Sequence, residues 1–179
     1  MKENFERKYL PEFVYGGIDG AVTTLAVIAG AMGASLSAGI VIIFGFANLL
    51  ADGFSMAISN YLSVKSQVEL HRYHKDSPEY KKEARHPFKT GLATFISFII
   101  IGFIPLMSFV LAFFMPSINE YKIAISIILT ALAFLFVGGM KGRIVKKPIA
   151  HSAIETLLIG GIAAALAFIV GYILRGLAG

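Results

Sequence analysis

Five apolar runs, at roughly 13–33, 38–62, 90–114, 121–140 and 152–174, constrain this chain more than any motif does. A helix needs about 20 predominantly apolar residues to cross the hydrocarbon core of a bilayer. Inside that core only helices and closed barrels satisfy their own backbone hydrogen bonds. None of the runs alternates with the two-residue period of a strand. The sequence therefore predicts an all-α integral membrane protein with five transmembrane helices in one domain spanning 1–179. Composition agrees, since 56% hydrophobic and 15% charged residues leave too little polar surface for a water-facing domain. Eighteen glycines suit helices that approach one another closely.

Local signals set the ends of these segments. Only Ala34–Ser37 separate the first two, which predicts a tight helical hairpin. Pro116 stops the third. Ser117–Glu120 and Ser152–Glu155 both read as capping boxes that open the following helix. Residues 63–89 read as a short cytoplasmic loop. The first segment is too long for a cleavable signal peptide, contains Asp19, and follows mixed acidic and basic residues, so it reads as a span.

Charge then orients the bundle. Fourteen of the sixteen Lys and Arg residues precede segment one, lie between two and three, or lie between four and five. By the positive-inside rule the N-terminus is cytoplasmic and the C-terminus outside or lumenal. The net charge of +5 thus reports topology, not nucleic-acid binding. The expected membrane is the inner membrane of a prokaryotic cell, or a vacuolar or other endomembrane in a eukaryote.

Polar groups inside the spans carry the functional signal. A carboxylate at the centre of a spanning helix costs ~2.5–3.5 kcal/mol on insertion scales, so it faces a partner or water. Asp19 lies among Gly16, Gly17 and Gly20, where another helix can come close. Asn48, Asp52 and Met56 recur every four residues along one face of segment two, flanked by Ser55 and Ser59. No Lys, Arg or His lies within either segment to neutralise the aspartates. Amides and hydroxyls serve well as hydrogen bonds between helices, whereas unpaired carboxylates call for a cation, a proton or water.

Oxygen donors with one thioether fit Fe(II) or Mn(II); Cu(I) would want more methionine and zinc more histidine. One subunit offers few ligands, and a twofold dimer would double the set. Glu155 has a capping role available, with cation entry as a second reading. The absence of cysteine, HExxH and GxSxG argues against an enzyme.

The stretches IDGAVTTLAVIAGAMGAS and GFANLLADGFSMAISNYLSVKSQVEL resemble the vacuolar iron transporter family. GLATFISFIIIGFIPLMSF, LTALAFLFVGGMKGR and SAIETLLIGGIAAALAFIVGYIL agree with it, so the resemblance covers the chain apart from about residues 66–86. It implies a dimeric five-helix fold that moves Fe2+ or Mn2+ out of the cytoplasm in exchange for protons, with no permanently bound cofactor. Its pathway aspartate and methionine match Asp19 and Met56. A position that some members fill with glutamate matches Asn48, and Asp52 belongs to the ADG variant of the motif. Plant members carry long glutamate-rich cytosolic helices where this chain has a short basic stretch. That stretch still offers Glu69, His71, His74, Glu79 and Glu83 as metal-entry ligands, although a solvated loop facing anionic lipid is the favoured reading. The rival to transport is a non-transporting scaffold or assembly module whose polar stripe only holds helices together.

Overall fold

The computed structural model describes residues 2–70 and 86–177, with side chains from Tyr9 onward. The described residues form five long α-helices and no strand: α1 (Lys2–Gly33), α2 (Ala38–Leu70), α3 (Pro87–Phe114), α4 (Lys122–Ile144) and α5 (Ile149–Ile173). Each is long and apolar enough to cross a membrane. At about 1.5 Å of rise per residue the shortest, α4 with 23 residues, still exceeds a hydrocarbon core of ~30 Å. Both α1 and α2 run beyond the apolar stretch visible in the sequence. Residues 63–70, expected in the loop, continue α2.

Two of the links close with one motif. After α1, Leu36 N–H donates to Ala31 O while Ser35 takes a left-handed φ of 59°. After α4, Lys147 N–H donates to Gly142 O with Lys146 at φ 54°. This is the Schellman closure, made here without the usual glycine. It turns each helix sharply enough for the next to run back alongside it.

Neither expected capping box forms. A short 3-10 turn, Pro116–Ile118, precedes α4, whose N-cap is Tyr121. Helix α5 begins a turn early because Pro148 takes the N-cap, leaving Ser152 buried inside the helix. Proline suits a helix start, since the N–H it lacks would have had no helical partner there.

Helix α1 packs against all four other long helices, and α3 against α1, α2 and α4. On one side Phe98, Leu106 and Phe109 of α3 join Val41 and Leu49 of α2 and Ile28 and Ala31 of α1. On the other, Ile101 meets Val14 and Ala21 of α1 and Ala133, Phe134 and Val137 of α4. Glycines permit these crossings. A methyl on Gly16 would collide with the Thr94 carbonyl and Ser97 hydroxyl, and one on Gly20 with the Phe98 carbonyl. Antiparallel α2 brings Gly45, Leu49 and Gly53 against Leu106, Gly102 and Phe98 in turn. Outward faces carry large exposed apolar side chains such as Phe44, Phe54, Ile127 and Leu166, as a lipid-facing surface requires.

The alternation of helices gathers the start of α1, the end of α2, the start of α3, the end of α4 and the start of α5 at one end of the bundle. Lys65, Lys89, Lys141, Arg143, Lys146 and Lys147 all belong to this basic end.

Candidate metal path

Helices α1 and α2 run antiparallel and enclose a cleft of about 390 Å³ at the basic end. Glu12 and Tyr15, beside Pro11, line it from α1; Met56, Ser59, Asn60 and Ser63 line it from α2. Tyr15 is exposed, whereas Glu12 is buried, only 6% of its surface remaining accessible. Seven residues along α1 from Glu12 lies Asp19, and seven residues back along α2 from Ser59 lies Asp52. The aspartates therefore sit about 10 Å deeper than Glu12 and Ser59, and about 6 Å beyond Tyr15 and Met56. Asp52 is close enough to act electrostatically on Asp19.

Both aspartates are half-buried, and neither carboxylate accepts a hydrogen bond or meets a basic side chain among the described residues. The threonine beside them does not help, because the Thr23 hydroxyl donates to the Asp19 backbone carbonyl at 2.8 Å. Most other buried hydroxyls likewise bond back to their own helix: Thr94 to Thr90 O at 3.0 Å, Thr130 to Ser126 O at 2.6 Å, Thr156 to Ser152 O at 2.9 Å. Two side chains cross between helices as hydrogen-bond glue. Asn60 Nδ2 donates to Thr94 Oγ1 at 2.6 Å, and Ser126 Oγ to Pro105 O at 2.7 Å.

Met56 is half-buried in the cleft wall, one turn from Asp52 towards the basic end. Asn48, one turn from Asp52 the other way, keeps a buried Nδ2 with no acceptor among the described residues. Ala47, Ala51, Ser55 and Ser59 are exposed on α2 in the single chain. Among the described residues no three His, Cys, Asp or Glu side chains converge on one point. A single copy therefore presents a carboxylate pair and a thioether rather than a closed metal cage.

Of the entry residues read from the sequence, Glu155 and Glu69 do not line this cleft. Glu155 lies on α5 and pairs with Lys141 of α4 at 3.2 Å, both partly exposed. It does not reach back to cap the helix, because its expected partner Ser152 is already helical and its Oγ is buried without a hydrogen bond. Glu69 is exposed on the last turn of α2. His71, His74, Glu79 and Glu83 fall outside the described residues. Glu12 was not among the residues singled out from the sequence. Its spacing from Asp19, two turns along one helix face, was the available signal.

Five helices long and apolar enough to span, with a polar cleft lined by two of them, define a polytopic membrane protein. The chain belongs to the VIT family, whose sequence profile matches residues 10–85 and 72–172. It is 25% identical to a vacuolar iron transporter of Plasmodium berghei (strain Anka), over 96% of this chain and 84% of the relative. It is 31% identical to vacuolar iron transporter homolog 4 of Arabidopsis thaliana, over 90% of this chain and 81% of the relative. A vacuolar iron transporter of Toxoplasma gondii (strain ATCC 50861 / VEG) is 25% identical, over 96% of this chain and 76% of the relative. These relatives are named as transporters, and the family is not an enzyme class.

Proposed function

We propose that this protein transports a divalent metal ion, Fe2+ or Mn2+, out of the cytoplasm in exchange for protons. The observation that carries the reading is the pair Asp19 and Asp52, two half-buried carboxylates on neighbouring helices, near enough for Asp52 to act on Asp19, with neither basic partner nor hydrogen-bond donor among the described residues. Like charges in a poorly solvated place are stabilised by a cation or by protons. The two compete for the same oxygens, so loading metal displaces protons and one site couples both fluxes. The helix-glue alternative suits Ser126 and the Asn60 NH2 group but does not suit these aspartates.

In this reading the basic end faces the cytoplasm, following the positive-inside rule. Metal enters the cleft past Glu12, meets the Met56 thioether, and moves about 6 Å further to Asp52 and Asp19. The relatives' naming as iron transporters supports iron as cargo. Fe(II) and Mn(II) both accept hard oxygen with some sulfur.

The exposed α2 face is covered by a second copy about a twofold axis. Serines 55 and 59 would otherwise face lipid, and the incomplete ligand set would stay incomplete. Metal uptake into proteoliposomes under an imposed pH gradient tests the reading. Parent protein should accumulate Fe2+ or Mn2+ as protons leave, and Asp19→Asn and Met56→Ala should each lose most of this flux while still inserting and dimerising. Normal flux by either variant would sink the site assignment.

A further inference from the structure

We propose that Asn60 supplies a neutral oxygen ligand to metal in the cleft, and that Thr94 of α3 is the positioning residue that orients it. The inference rests on the reading of the cleft as a metal path, and adds to it a ligand that never titrates.

The hydrogen-bond chain fixes the geometry. Asn60 Nδ2 donates to Thr94 Oγ1 at 2.6 Å, and Thr94 Oγ1 donates to Thr90 O at 3.0 Å. A hydroxyl has one proton, and this one is committed to the Thr90 carbonyl. Thr94 is fully buried, so its hydroxyl has no water to turn to. Towards Asn60 it is therefore an acceptor, and the amide has to present its NH2. The flipped amide would set two oxygens together with no proton between them, which removes the usual ambiguity of amide orientation. Oδ1, at the other corner of the amide, accepts no hydrogen bond among the described residues, and Asn60 lines the cleft.

The consequence is chemical. Asn60 lies one turn from Met56 on the cleft wall, so a hard carbonyl oxygen and a soft thioether stand side by side. An amide binds a cation without releasing a proton. Its contribution to affinity does not depend on a proton leaving, as that of a carboxylic acid would. Thr94 touches no metal and acts only through Asn60, across 34 residues of sequence.

The test is the initial rate of Mn2+ uptake into proteoliposomes, against metal concentration and at several pH values. Thr94→Val is near-isosteric but offers no acceptor, so the amide is free to turn. Its KM for Mn2+ should rise by about tenfold, the scale of one hydrogen bond. Its kcat and the shape of its pH profile should stay parental. Thr94→Ser should restore the parental KM. Asn60→Ala should match Thr94→Val, and the double variant should be no worse than Asn60→Ala, because two members of one chain are not additive. If Thr94→Val does not fold, equilibrium Mn2+ binding by purified Thr94→Ser and Asn60→Ala decides: parental affinity for the first and a tenfold loss for the second support the proposal. A parental KM in Thr94→Val, a parental affinity in Asn60→Ala, or additive effects in the double variant would overturn it while the transport reading stands. A parent protein that neither binds nor moves divalent metal would overturn both.

Discussion

Gly102 of α3 sits where three helices meet, and a single methyl there should show how tightly the polar path is held. A Cβ on Gly102 would lie 2.8 Å from the Gly20 carbonyl oxygen of α1 and 2.7 Å from Leu49 Cδ2 of α2. The leucine is the end of a flexible side chain and can swing. The Gly20 carbonyl is backbone and cannot move unless α1 moves with it. Ordinary contact begins at 3.4 Å, so α1 has to retreat by about 0.6 Å next to Asp19. Overpacking of this kind costs about 1–3 kcal/mol. Alanine also favours a helix over glycine by up to about 1 kcal/mol, which partly hides the packing cost.

Gly161→Ala on α5 separates the two effects, because a methyl at Gly161 meets nothing within 4 Å. Both variants gain propensity, and only one gains a clash. With about 2–4 °C of melting temperature per kcal/mol for a chain of this size, Gly102→Ala should melt roughly 2–12 °C below Gly161→Ala. The assay is thermal unfolding of both purified proteins in one detergent, followed by metal flux in liposomes. Gly102→Ala should also transport more slowly, since its displaced backbone carries Asp19. Equal melting temperatures for the two variants would mean that α1 does not rest on Gly102, and the close crossing would be wrong.

Two further outcomes are expected. Asp52→Asn should express at least as well as the parent, because a costly intramembrane charge is gone, yet transport more slowly; an unchanged rate in proteoliposomes would favour helix glue. Glu155→Gln should leave metal selectivity unaltered and change melting only at low salt, because its pairing with Lys141 is partly exposed and screened; a selectivity change at constant stability would return Glu155 to the metal path.

Much of the fold was legible because membrane helices announce themselves by length. The five spans, the Ala34–Ser37 turn and the close approach at Gly16 and Gly20 all follow from apolar runs and small residues. The capping box at Ser152 misled because Pro148, four residues earlier, is the stronger start signal. Glu12 was passed over because hydropathy places it in a polar flank. The helix in fact extends back to Lys2, so Glu12 lies two turns from Asp19 on the same helix face. The Asn60–Thr94 bond joins residues 34 apart on different helices, and no local pattern encodes such a register.

These polar groups divide according to what their own helix can give them. A hydroxyl satisfies itself by donating one turn back, as Thr23, Thr94, Thr130 and Thr156 do, so its presence in a span says little about function. An amide cannot be fully satisfied that way; Asn60 finds a partner on α3, and Asn48 Nδ2 finds none among the described residues. A carboxylate is worse placed still. It only accepts when ionised, and the N–H groups of a helix interior are already committed to the turn before. Asp19 and Asp52 therefore cannot be quieted by their own helices, and no neighbouring side chain donates to them among the described residues. Among the described residues no side chain stabilises the pair, which leaves water, a proton, a cation or a second copy. Under the proposed reading, metal and protons take turns at this pair, whereas a scaffold would have no reason to keep two acids where amides would pack as well.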